Sequence, residues 1–287
     1  MRRTTGLTLL TTSLAALLAG CGDSTLSSSW QIDRLRILAV RAEPAEPAPG
    51  ELVTFESLTV HPDNDDLITV WFACLLEASS SYGCEGLGDT ADTGADVPEG
   101  LIGYEPDWPP TYVPDESALE GLTDEQRVEG RNILLTLAAF ENGEEIDFED
   151  ESAELATKRI PVSENPDPNK NPNIAGLQID GVELPEGGVL EVDAKRTYTF
   201  TPVLADDAVQ TYSYTTTDGV TEERVEEPYF TFFADGGALG DSSTLYPYSD
   251  FDWTAPDAAT GEQIRIWAIV RDRRGGMGWW TQLIQIR

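Results

Sequence analysis

The sequence predicts an all-β protein of two tandem β-sandwiches behind a short N-terminal leader, the first sandwich carrying a long loop insertion. Three observations lead there. Apolar residues recur in short continuous or alternating runs bounded by Pro, Gly, Asn and Asp, while long 3.6-residue periodicity is nearly absent. Asn142-Gly143 and Asp218-Gly219, between such runs, are hairpin signals. Between the two groups of strands, residues 164–173 hold Asn165-Pro166-Asp167-Pro168-Asn169-Lys170-Asn171-Pro172, a composition suited to an extended linker.

In the first domain, residues 30–163, Leu35 to Val40 is an expected strand, followed by a proline-rich stretch that suits only an edge or a kink. Leu52 to Val60 is a second. Leu67 to Leu75 is a third, apolar on both faces and therefore central. The stretch of about 85–118 is rich in Gly, Pro and Asp and reads as the insertion, with an extended piece from Tyr104 to Val113. Thr123 and Gln126 fit a capping box, which starts a short helix. Asn132 to Phe140 and Glu144 to Phe148 then pair across Asn142-Gly143, with Ala139 opposite Ile146 and Leu137 opposite Phe148. Ala153 to Val162 completes the unit.

The second domain, residues 174–287, has strands at Ile174 to Ile179, Lys195 to Leu204, Tyr229 to Ala234, Gln263 to Val270 and Gly278 to Ile286. The Asp218-Gly219 turn sets Tyr212 opposite Val225. Asp252-Trp253-Thr254-Ala255-Pro256, Gly261 and Val270-Arg271-Asp272-Arg273-Arg274-Gly275-Gly276 close the chain. This ending resembles the last two strands of bacterial immunoglobulin-like or polycystic-kidney-disease-type modules. The resemblance implies two immunoglobulin-like sandwiches, although no Cys…Trp…Cys spacing of antibody domains occurs.

The N-terminus carries the most specific motif. Arg2-Arg3 precedes an apolar run from Gly6 to Leu18, shorter than the ~20 residues that span a bilayer, and Leu18-Ala19-Gly20-Cys21 follows. That pattern resembles the lipobox of bacterial lipoproteins. The resemblance implies that residues 1–20 are a signal peptide and that Cys21 is lipidated after cleavage. Residues 21–29 would then be a flexible tether. It further implies a lipid-anchored protein of the bacterial cell envelope. Gly22, rather than an aspartate, follows Cys21, which favours the outer membrane.

Composition bounds the rest. The 18 basic residues stand against 52 acidic ones; losing Arg2 and Arg3 with the leader leaves 16 against 52, a net charge of −36. Such acidity argues against nucleic-acid binding and against docking on anionic headgroups. With Cys21 acylated, Cys74 and Cys84 can form a disulfide in an oxidising compartment.

Catalytic chemistry finds little support. His61, the single histidine, lies in a Val60-His61-Pro62-Asp63 turn with no Gly-x-Ser-x-Gly elbow to serve. No cofactor is expected. Calcium has weak candidates in Asp63, Asp65 and Asp66 and in Asp89, Asp92 and Asp96, none of them in an EF-hand pattern. Trp279 and Trp280 must point to opposite faces of a strand, and with Arg273 and Arg274 they are the candidates for contact with a protein or glycan partner. The expected function is a non-enzymatic envelope lipoprotein whose modules bind or space. The alternatives are an envelope hydrolase with its site in the insertion and a calcium-stabilised adhesin.

Overall fold

The computed structural model describes residues 28–76, 100–142, 153–184, 187–216 and 218–287. The first domain runs through β1 (Arg36–Glu43), β2 (Val53–Val60), β3 (Leu67–Leu75), β4 (Leu101–Glu105), β5 (Thr111–Tyr112), α1 (Asp124–Glu129), β6 (Arg131–Glu141) and β7 (Glu154–Val162). A three-stranded sheet β1-β2-β5 faces a four-stranded sheet β4-β3-β6-β7. The chain crosses between sheets after β2, β4 and β5, which is the Greek-key layout of an immunoglobulin-like sandwich. Alternate residues fill the space between the sheets. Val53 and Phe55 come from one side, and Trp71, Ile133, Leu135, Leu137 and Ile160 from the other.

The second domain runs through β8 (Ile174–Ile179), β9 (Val182–Glu183), β10 (Val189–Val192), β11 (Thr197–Leu204), β12 (Thr211–Thr215), β13 (Thr221–Val225) and β14 (Tyr229–Ala234). It continues through β15 (Ala238–Leu239), β16 (Ser243–Leu245), β17 (Phe251–Thr254), β18 (Gln263–Arg271) and β19 (Met277–Ile286). Sheet β9-β8-β11-β17-β15 faces sheet β10-β19-β18-β14-β16, with β10 parallel to β19. Phe200, Phe232, Phe251 and Trp253 stack at the centre of this core. Strands β12 and β13 belong to neither sheet and form a separate two-stranded ribbon.

The two sandwiches pack side by side. Leu38 and Val60 on the outer face of the β1-β2 sheet meet Trp267 and Ile269 on the outer face of β18, with Ile32, Phe233, Met277 and Trp279 around them. The layers therefore stack as four sheets, and Trp267 and Ile269, at 2% and 0% exposure, are as buried as any core residue. An interface this apolar holds domains as one body, where a polar one would let them move.

Most expected strands and the capped helix occur where the pattern puts them; Thr123 and Gln126 make both capping-box bonds. Four expectations differ. Leu101 onward is integral to the sandwich rather than inserted: β4 pairs with β3, and β5 with β2. The Asn142-Gly143 register fails because β6 has two edges and both are taken. Ala139 lies opposite Glu154 and Leu137 opposite Ala156 on β7, while β3 holds the other side; Glu144 to Phe148 fall outside the described residues. At Asp218-Gly219 the loop has three residues, not two, closed by Thr216 N–H to Val220 O at 2.8 Å with Gly219 at φ 78°. Tyr212 therefore faces Arg224, and Thr211 faces Val225. Finally, residues 164–173 are not a free spacer: most of them are exposed, but Asn169 is 2% exposed, and Pro172 O lies where a Cβ on Gly278 would stand, at 2.2 Å.

Candidate functional site

The ends of the stack are chemically distinct. At one, Ile32 N–H donates to Ala234 O at 2.9 Å, so the N-terminal segment joins the end of β14 in the second domain before entering the first. Close by, Asp65 and Arg265 form an ion pair across the domains. The opposite end gathers the linker, the β18–β19 turn, the ribbon and the start of β14. The six residues of β14 separate the two ends, roughly 20 Å.

At that far end Asp272 organises the β18–β19 turn. Its Oδ1 accepts the backbone N–H groups of Arg274, Gly275 and Gly276 at 2.7, 2.9 and 2.9 Å. Oδ2 accepts from Asn169 Nδ2 at 2.8 Å, which pins the linker. A Cβ on Gly276 would lie 2.1 Å from that oxygen, so the turn needs glycine there. Asn169 N–H in turn donates to Glu46 Oε2 at 2.6 Å, reaching the first domain. Arg274 sits between the buried carboxylates of Glu226 (3.0 Å) and Glu46 (3.5 Å). Burial raises the Glu226 pKa, opposed by hydrogen bonds from Gln210 N–H and Arg274. Lys158, on β7, donates to Gly275 O from the other side; burial pushes its ammonium down to about 8. The Arg274–Glu46 pair and the Lys158 bond to Gly275 O cross the domain boundary, and together these contacts form a clamp.

The clamp also roots the ribbon. Arg274 lies 4.4 Å over the Tyr212 ring, and Gln210 bonds both Lys170 N–H and Glu226. Beyond that base β12 and β13 are exposed almost throughout. Tyr212, Tyr214, Glu222 and Arg224 share one face, with Arg224 3.8 Å over the Tyr214 ring. Beside the ribbon, a hollow of about 460 Å³ is lined by Tyr229, Ser243, Thr244, Leu245 and Arg273. Tyr248 nearby is 82% exposed. Arg273 has φ 71°, a region that disfavours a side chain, and its guanidinium projects into solvent 3.8 Å from Glu227.

The residues expected to contact a partner therefore divide. Arg273 lies on the exposed rim. Arg274 does not, because its guanidinium is enclosed by two carboxylates. Trp279 packs between the domains beneath Arg41, 4.7 Å away, and Trp280 packs on the core of the second sandwich. Of the two, only Trp279 is thus set against the first domain, and both are half-buried. The ribbon tyrosines, Tyr229 and Tyr248 went unnoticed in the sequence, since scattered tyrosines carry no spacing signal.

The calcium candidates separate as well. Asp65 pairs with Arg265, Asp66 accepts from Asn142 at 2.9 Å, and Asn64 bonds Glu141, which also faces His61 Nε2 at 3.3 Å. Among the described residues, no three His, Cys, Asp or Glu side chains converge on a metal-sized site. Asp89, Asp92, Asp96, Cys21 and Cys84 lie outside the described residues. Cys74, near the end of β3, is disulfide-bonded; its expected partner Cys84 is not among the residues the structure describes. Among those residues no helix is long and apolar enough to cross a membrane.

The fold defines a class: two immunoglobulin-like sandwiches fused side by side, with exposed tyrosines and Arg273 at one end. No family model matches the sequence, and no curated protein matches it. Among solved structures, the D00-D0 domain of Intimin aligns with 87% of this chain and 100% of its own, at 9% identity and a TM-score of 0.25. The D0-D1 domain of Intimin aligns with 86% and 98%, at 9% identity and a TM-score of 0.20. Likeness at that level carries no argument, and the sandwich assignment rests on the strand order itself.

Proposed function

We propose that the chain is a non-enzymatic, lipid-anchored lipoprotein of the bacterial cell envelope that presents the ribbon end of its second domain to a protein partner. The observation that carries this reading is polarity. The chain enters the folded body at Ile32 beside Ala234, whereas the ribbon, Arg273 and the exposed tyrosines occupy the other end. With Cys21 acylated, the seven residues to Ser28 reach at most about 25 Å, so the body is held close to the bilayer with its recognition end turned away. Acyl chains supply the anchor without a spanning helix, each buried methylene contributing ~0.8 kcal/mol.

Side-by-side packing favours binding over spacing, because a spacer gains reach by stacking its modules end to end. The outer membrane is the favoured site, since Gly22 follows Cys21. A Cys74–Cys84 disulfide suits that oxidising location. The test of the anchor is to replace Cys21 with Ala in cells fed labelled palmitate and fractionate them. Loss of label and release from the membrane is expected; retained label or unchanged membrane association overturns the anchor.

A further inference from the structure

We infer that the open edge of β12 is a docking strand that takes an extended, cationic segment of a partner polypeptide by strand addition. The inference rests on the binding role proposed for the ribbon end and names the partner's chemistry.

The hydrogen-bond register identifies which groups are free. Glu226 N–H donates to Gln210 O at 2.9 Å, and Thr216 N–H to Val220 O at 2.8 Å. With Tyr212 opposite Arg224 and Tyr214 opposite Glu222, the even-numbered residues of β12 form the bonded pairs. The N–H and C=O groups of Thr211, Ser213 and Thr215 therefore point away from β13, and all three residues are exposed. An antiparallel ribbon of five pairs with both faces in water is marginal on its own. An added strand would supply what it lacks.

Among the described residues, several other sheet edges are blunted in the ways that keep sheets from joining. β9, β5 and β15 have two residues each, and β16 has three. β7 carries Lys158, Arg159 and Pro161, and β13 carries Glu222, Glu223 and Arg224. β12, Thr-Tyr-Ser-Tyr-Thr, has strong β formers and neither charge nor proline.

Charge selects the occupant. Asp218, Glu222, Glu223, Glu226 and Glu227 outnumber Arg224, Arg273 and Arg274 around the ribbon, and the whole chain has a net charge of −34. A second copy would bring the same charge to the same edge and be repelled, whereas a basic segment is steered in. The Tyr212 and Tyr214 rings already take guanidinium groups at 4.4 and 3.8 Å, so they can receive the alternate side chains of an arginine-bearing strand.

The test uses the full chain in detergent and, as probe, a capped heptapeptide alternating arginine with threonine, beside its glutamate counterpart. Hydrogen exchange should slow at the amides of Thr211, Ser213 and Thr215 on adding the arginine peptide. The glutamate peptide should bind at least tenfold more weakly. Ser213→Pro removes only an outward N–H and should weaken binding at least tenfold while the Tyr212 and Tyr214 amides stay protected. If that variant loses the ribbon, Ser213→Lys, which keeps the backbone bonds, must show the weakening instead. Unchanged exchange at the three amides under saturating peptide overturns the proposal. So do equal binding of the glutamate peptide, undiminished binding by both variants, or self-association through β12 without peptide. None of these outcomes bears on the Cys21 anchor, which the palmitate experiment reads separately.

Discussion

The side-chain amide of Asn169 donates to Asp272 Oδ2 at 2.8 Å, with both residues 2% exposed. One carboxylate thereby fixes a turn in the second domain and the segment that leads into it. Removing it strands three backbone N–H groups and the Asn169 amide in a buried site. Asp272→Ala should destabilise by about 3 kcal/mol, as expected for breaking a buried charged network. The check is the urea midpoint against wild type. A shift under 0.5 kcal/mol would mean that water replaces the lost bonds.

Lys158 gives the pH dependence an unusual sign. Its folded pKa of about 8 lies below the ordinary lysine value of 10.5, so the unfolded chain binds the extra proton between those values. Burial of the ammonium costs stability below pH 8, and that cost fades as pH rises from 8 toward 10.5. Lys158→Met should leave stability at pH 7 unchanged or raise it by up to about 3 kcal/mol. Wild-type stability relative to the variant should rise with pH in paired urea titrations at pH 7, 8, 9 and 10. Parallel curves for the two proteins would refute the shift.

The packing of Trp267 and Ile269 against Leu38 and Val60 predicts that both domains melt together. Calorimetry should show one transition. Trp267→Ala should cost about 3–5 kcal/mol, as large-to-small changes at fully buried aromatic sites do. Ile269→Asp, which buries a charge in the seam, should split the endotherm in two. Two transitions in the wild type would refute the fused-domain picture.

A disulfide between Cys74 and Cys84 should appear in non-reducing peptide maps, and Cys84→Ser should lower stability by about 2–3 kcal/mol. Free thiol at either position in protein purified from the envelope would rule the pairing out.

Strand identity was legible in the sequence because alternation and turn residues are local properties. Leu67 to Leu75 reads as a doubly covered strand from composition alone, and the Thr123 capping box specifies α1 within four residues. Register was less legible. The Asn142-Gly143 turn is a sound local signal, but β6 pairs with β3 and β7 on its two sides, and competition between strands is not a local quantity. A loop of three residues instead of two at Gly219 was enough to move Tyr212 from Val225 to Arg224. Trp279 and Arg274 carry the residue types of a binding surface and serve the domain interface instead, because both kinds of contact select arginine and tryptophan.

By itself the sequence determined the all-β class, most strands and the capped helix. Each of these depends on the order of neighbouring residues. Tertiary structure decided that the sandwiches lie side by side and that the proline-rich linker is pinned at Asn169 and Pro172. It also decided that Trp279 packs at the domain interface and Trp280 on the second core, and that the ribbon edge is left open. Those outcomes depend on which surfaces meet, through contacts such as Glu46 with Arg274 that join residues far apart in the chain.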